Sequence, residues 1–336
     1  YTLFQKNIFP VLFYYGAANV LYLIFVPYAT RLLNRYGFRR ALQTSVIFGA
    51  LYFSLFAFID KGNILYLLPV SLLVVLMYRL LYWVPYHVDF AKFGSKKNRG
   101  RELSLLESTV LFIAMVVPAI AGFVITRYGF EVLFFISVLL YLLSGLAYLT
   151  IPHTDERFSW GYAETWKKFF VKWQSKTLLA YVADGAEGVV GLVIWPIFIF
   201  EILQGNYLAV GVVSALITAA AIGIQLTVGK ALDTKLSKDW MLAWGSVFYA
   251  LGWIFKLFVA TAFEIFVAGA YHKIANIFMR TPVDAFTYEM AADEGHYVDE
   301  FTVLRELAIN VGKTFMYVLI GITVLFFSLK WTFLLS

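Results

Sequence analysis

Apolar residues run along this chain in blocks separated by short polar stretches. The blocks fall at 8–29, 41–59, 64–88, 103–126, 130–151, 178–202, 206–228, 240–259, 262–286 and 301–326. Each is close to the roughly 20 residues that an α-helix needs to cross a hydrocarbon layer about 30 Å thick. None alternates with the two-residue period of a membrane barrel, and a backbone in lipid has to satisfy its own hydrogen bonds, so every block is predicted to be a helix. An eleventh block starts near Ser328 and runs to Ser336. The polar stretch 152–177 has a periodicity of its own, with Trp166, Phe169, Phe170 and Trp173 at i, i+3, i+4 and i+7 and Lys167, Lys168 and Lys172 on other faces. That pattern predicts a helix lying in the membrane interface.

Composition agrees with the pattern. At 61% hydrophobic and 14% charged residues, with a mean hydropathy of +0.77, the chain has too little polar surface to coat a soluble globule. The fold class is therefore all-α, a polytopic helical membrane protein. The absence of cysteine removes disulfides and thiolate metal sites. The four histidines, at 87, 153, 272 and 296, are scattered, and no phosphate-cradling glycine loop or paired-histidine zinc motif occurs, so no metal, cofactor or enzymatic activity is expected.

Charge sets the orientation. If the 30–40 loop is cytoplasmic, seventeen Lys and Arg residues fall in cytoplasmic segments and four (Lys6, Lys61, Arg127 and Lys330) on the other side. The formal charge of +6 is then a topology signal rather than a nucleic-acid footprint. The expected setting is the plasma or inner membrane, with the 152–177 linker cytoplasmic and the chain a monomer.

The sequence also repeats itself weakly. ATRLLNRYGFRRAL (29–42) lies over GKALDTKLSKDWML (229–242), Pro85 over Pro282, and RELSLLEST (101–109) over DEFTVLREL (299–307), all at offsets near 200. Two homologous halves, 1–151 and 178–336, explain this economically. The repeat implies a first span before residue 1 and a last span cut short at Ser336, so that the intact protein is expected to have twelve spans in two pseudo-symmetric six-helix bundles.

Here the residues resemble the major facilitator superfamily of secondary transporters, which places a G-x-L-a-D-r-x-G-r-k motif between its second and third helices and a looser copy between the eighth and ninth. TRLLNRYGFRR (30–40) keeps Leu32, Arg35, Gly37, Arg39 and Arg40 but has Asn34 in place of the aspartate. GKALDTKLSKD (229–239) keeps Gly229 and Asp233, with Lys235 opposite Arg35 in the repeat. The resemblance implies that these loops act as a conformational latch, with Glu107 or Asp89 as substitutes for the missing carboxylate. The family's antiporter motif on the fifth helix survives only as Pro118 and Gly122 in PAIAG (118–122), so direction stays open between import and export.

A charge at mid-bilayer costs at least about 2.5–3.5 kcal/mol, which makes ionisable residues inside the spans candidates for function. Lys256 sits near an outer end and is expected to snorkel, Arg280 to pair with Asp284, and Arg305 and Glu306 to lie at the cytoplasmic face. Arg79, Asp184, Glu187, His272, Lys273 and Lys313 remain as candidates for substrate binding or proton coupling. Asp184 and Glu187 share a helical face, and two poorly solvated carboxylates side by side favour binding a proton or a cation. A structural bridge to Arg79, Lys273 or Lys313 is the competing account. The resemblance implies alternating access around a central site for a small solute, with protons or another ion as the coupling partner. A non-transporting receptor or lipid-handling protein of the same fold is the alternative.

Overall fold

The computed structural model describes residues 1–93, 99–152, 157–173, 175–232, 238–293 and 298–336, and their side chains except at 90–93, 99–104, 107, 223–232, 238, 239, 284–293, 298 and 299. Among these residues every regular element is helical. Twelve α-helices follow in order: α1 Phe9–Tyr36, α2 Phe38–Ala57, α3 Ile64–Phe93, α4 Arg99–Tyr128, α5 Phe130–Tyr148, α6 Tyr162–Lys172, α7 Lys176–Val189, α8 Trp195–Ile202, α9 Tyr207–Leu232, α10 Lys238–Lys256, α11 Ala262–Asp293 and α12 Val298–Phe326. They cover the ten apolar blocks, with α1 and α11 each running seven residues, about two turns, past the C-terminal end of their block.

The block at 178–202 is not one uniform helix. A π-helical segment, Val190–Ile194, separates α7 from α8. The stretch after Ser328 winds as a 3₁₀ helix, Leu329–Leu335, with Phe333 fully buried, where the start of an eleventh span was expected. Among the described residues seven stretches are long and apolar enough to cross a bilayer, against the ten blocks. The other three blocks lie in α9, α10 and α11, each of which extends beyond the residues whose side chains are described. In α11, His272, Lys273 and Arg280 interrupt the apolar run.

Helix lengths recur along the chain. α1 to α4 have 28, 20, 30 and 30 residues, and α9 to α12 have 26, 19, 32 and 29. Pro85 lies inside α3 and Pro282 inside α11. The ends have local causes. Thr261 and Glu264 form a capping box at the start of α11, the glutamate accepting from the Ala260 and Thr261 backbone N–H groups and the Thr261 hydroxyl from that of Glu264. Asp60 accepts from the N–H groups of Gly62 and Asn63 in the turn between α2 and α3.

Packing divides the chain into two compact units. The first comprises Tyr1–Phe93, Phe130–Val189 and Glu294–Leu325; the second comprises Gly94–Gly129, Val190–Asp293 and Phe326–Ser336. Each draws helices from both sequence halves. The core of the first joins Tyr22, Val26 and Leu33 of α1 to Leu80 and Val84 of α3, Phe169 of α6, and Leu304 and Leu307 of α12. In α6, Phe169 is 1% exposed and Trp166 packs against the same core, while Phe170 and Val171 face outward. The amphipathic pattern of the linker thus lays one aromatic edge on protein.

Two helices of this unit touch backbone to backbone. A Cβ on Gly185 of α7 would collide with the Ile309 carbonyl, and one on Gly312 of α12 with the Val182 carbonyl. Gly188 has open space where its Cβ would be, so of these two only Gly185 is required by packing. The second unit pairs α4 with α9, where a Cβ on Gly122 would meet the Tyr207 carbonyl. Close packing against α9 therefore accounts for a glycine that the antiporter motif also contains.

Candidate transport and coupling sites

The first unit gathers its buried polar groups around Arg79. Its guanidinium donates to the Asn310 side-chain oxygen at 2.7 Å, to that of Asn19 at 3.2 Å and to the Ala18 carbonyl at 3.4 Å. It also stands 4.2 Å from the centre of the Tyr22 ring, a cation–π contact. Tyr22 in turn donates its hydroxyl to Glu306 at 3.2 Å. The other Glu306 oxygen lies 3.4 Å from Arg305 and 3.8 Å from His87, and Arg305 is 3.2 Å from the same His87 nitrogen. Asn310 closes the loop by donating to the Glu306 backbone carbonyl at 2.8 Å. Arg79 thus reaches the Glu306 carboxylate through the Tyr22 ring and hydroxyl, and the Glu306 backbone through the Asn310 amide.

Helix periodicity builds this arrangement. Glu306, Asn310 and Lys313 fall at i, i+4 and i+7 on α12, and Asn19 and Tyr22 at i and i+3 on α1, so each helix turns one polar edge toward Arg79 of α3. Lys313 lies within electrostatic reach of Arg79, Glu306, Asp184 and Arg305. Four of the six sequence candidates divide as follows: Arg79 is the hub, Lys313 and Asp184 are at its edge, and Glu187 is half-buried one turn farther along α7. Glu306, set aside in the sequence as a residue of a span's first turns, is buried in the network. Asn19, Tyr22, His87 and Asn310 were missed as well. The three-residue polar stripe on α12 is the sequence signal that could have found two of them.

The second unit holds His272 and Lys273. His272 is 7% exposed, and its Nδ1 contacts Nζ of Lys256 at hydrogen-bonding range. Lys256 is 2% exposed, which corrects the expectation that it snorkels outward. Its ammonium faces the rings of Trp253 at 3.6 Å and Trp195 at 4.5 Å. Phe333 of the 3₁₀ helix packs on both indoles, and Tyr249 lies 4.3 Å from the His272 ring, centre to centre. α10 and α11 close tightly here, since a Cβ on Gly252 would press on the His272 ring. Two unit charges at hydrogen-bond distance repel by about 5 kcal/mol at an effective dielectric of ~20, so this contact accommodates one positive charge and not two.

The latch loop is a built structure in the first unit. Gly37 alone joins α1 to α2, with φ 79° and ψ 153°, a conformation that glycine reaches without a Cβ penalty. Arg39 donates to the Leu149 carbonyl at 2.6 Å and Gln43 to that of Tyr148 at 3.2 Å, satisfying the end of α5. Asn34 donates to the Phe158 carbonyl at 2.9 Å and accepts from the Phe158 N–H at 2.8 Å. The following residue, Ser159, donates its N–H and its hydroxyl to Glu300. An aspartate at position 34 could accept but not donate, so the departure from the family motif matches the contact made here. Leu32 packs on the core, while Arg35 and Arg40 are exposed. Gly229, Asp233, Lys235 and Glu107 lie outside the residues whose side chains are described.

Apolar helices long enough to span a bilayer that bury a guanidinium and a carboxylate mark a functional interior of a polytopic membrane protein. The sequence profile described as Major Facilitator Superfamily matches residues 11–182, just over half of the chain, and the chain belongs to that superfamily. It is a multi-pass secondary transporter that moves a small solute by alternating access. No curated protein matches it in sequence. In fold it is similar to the Escherichia coli fucose:proton symporter FucP, at 13% identity and a TM-score of 0.62 over 96% of this chain and 87% of that one. A second FucP structure, in the outward conformation, matches at 12% identity and a TM-score of 0.61 over 99% of this chain and 88% of that one.

Proposed function

We propose that the transporter is proton-coupled and carries a small neutral solute bearing hydroxyl groups, bound at the Arg79 network. The observation that carries this reading is the indirect contact of Arg79 with the Glu306 carboxylate through Tyr22, with Asn310 bridging Arg79 to the Glu306 backbone. Amide, phenol and guanidinium groups can trade their internal hydrogen bonds for a solute's hydroxyls without stripping either charge of partners. Glu306 is the carboxylate that would take the proton, and Asp184 and Glu187, with Lys313 beside them, form the second acidic position. The fold likeness to a fucose:proton symporter is consistent with this class of solute.

In the same reading, residues 1–151 and 178–336 form the two halves, 152–177 is a cytoplasmic linker, and the protein acts as a monomer in the plasma or inner membrane. The bias in basic residues and the recurring helix lengths support it. The loops holding Asn34, Arg39 and Arg40, and Gly229, Asp233 and Lys235, would hold one state of the cycle.

Uptake of a labelled monosaccharide and polyol panel into proteoliposomes, with and without an inward proton gradient, tests the proposal. Glu306→Gln should keep solute exchange and lose gradient-driven accumulation. Unchanged accumulation in that variant, and in Asp184→Asn with Glu187→Gln, would refute proton coupling at these carboxylates.

A further inference from the structure

The Lys256–His272 pair is not needed by the Arg79 reading, yet it buries two titratable nitrogens against each other. Its surroundings leave little freedom. Indole rings of α8 and α10 cover the ammonium, Tyr249 of α10 covers the imidazole face, and Gly252 lets α10 close on the ring. The charged groups acting on His272 are Lys256 and its neighbour Lys273, both cations. The only hydrogen that can lie on the Nζ–Nδ1 axis is a single shared one, because each nitrogen needs the other to be its acceptor or donor.

With the lysine ammonium as donor, Nδ1 carries a lone pair and the imidazole proton sits on Nε2. Among the described residues that Nε2 is buried with no partner, as is Nε1 of Trp253, so the imidazole is held by its Nδ1 side and by ring contacts. A second proton on the imidazole would turn Nδ1 into a donor aimed at an ammonium, and the contact would have to open. The faces of Trp195 and Trp253 give the ammonium a place to remain when it does.

We propose that Lys256 and His272 form a conditional proton-binding site, holding one positive charge while α10 and α11 are packed and admitting a second proton only when that contact parts. Such a site links proton uptake to helix movement through an amine and an imidazole. It stands on the geometry of α10 and α11, whether or not Glu306 is the coupling residue.

The test uses the purified protein in nanodiscs and needs no transport. Nitrogen NMR on histidine-labelled protein, with His272 assigned by the signal lost in His272→Gln, should show an acceptor Nδ1 and a protonated Nε2. In Lys256→Met, which keeps the stem and removes the amine, the single tautomer should give way to a mixture. Proton counting with a pH indicator between pH 8 and 5 should show His272→Gln equal to the wild type, because the packed pair holds one positive charge throughout. A wild-type Nδ1–H tautomer, or one proton fewer taken up by His272→Gln, would overturn the site, and the tautomer reading holds even if Lys256→Met fails to fold.

Discussion

Arg79 and Lys256 are both cations buried among helices, but they are held in opposite ways. Arg79 meets acceptors that stay acceptors at any pH, two amides and a carbonyl, with a phenol ring beneath it. Lys256 meets an imidazole and two indole faces, and the imidazole is an acceptor only while it is neutral. The first arrangement fixes a charge and leaves its surroundings to exchange partners with a solute. The second makes the contact itself depend on the number of protons present.

The comparison can be broken most severely at the fixed charge. Arg79→Ala strands Asn19 and Asn310 and removes the cation beside the Tyr22 ring, so proteoliposome flux should fall by about a hundredfold or more. Arg79→Lys should recover part of it, because one ammonium cannot span both amides. Gly185→Ala comes next. Its methyl meets a backbone carbonyl that cannot swing aside, and detergent-solubilised protein should lose about 1–3 kcal/mol in thermal unfolding. Gly252→Ala, which meets a histidine side chain instead, should cost less and disturb Lys256 and His272 selectively.

Tyr22→Phe is a finer instrument. It keeps the ring under Arg79 and deletes the bond to Glu306, so the transport rate should drop about tenfold while the fold remains intact by circular dichroism. Asn34→Asp should cost about 1 kcal/mol in thermal stability, the worth of the lost donor to Phe158. Gly188→Ala should be neutral or slightly stabilising, since its side has open space and alanine favours a helix.

Much of this molecule is legible in its hydropathy. Helix order, the turn at Gly37 and the prominence of Arg79 all follow from local spacing, because a membrane leaves the backbone few alternatives. The errors share one physical origin. Lys256 reads as a snorkelling lysine from its position near a helix end, and nothing local reveals that Trp195 and His272 converge on it. Glu306 reads as one of a span's opening residues, and nothing local reveals that Tyr22 meets its carboxylate. The π-helical segment at Val190–Ile194 depends on hydrogen-bond register, which side-chain periodicity does not encode.

The two-way bond between Asn34 and Phe158 has a chemical consequence. Hydrolysis of that one amide, the common ageing reaction of asparagine, would restore the aspartate that the family motif expects while removing one of the two bonds that clasp the linker. In this chain the residue that looks more orthodox would be the damaged one.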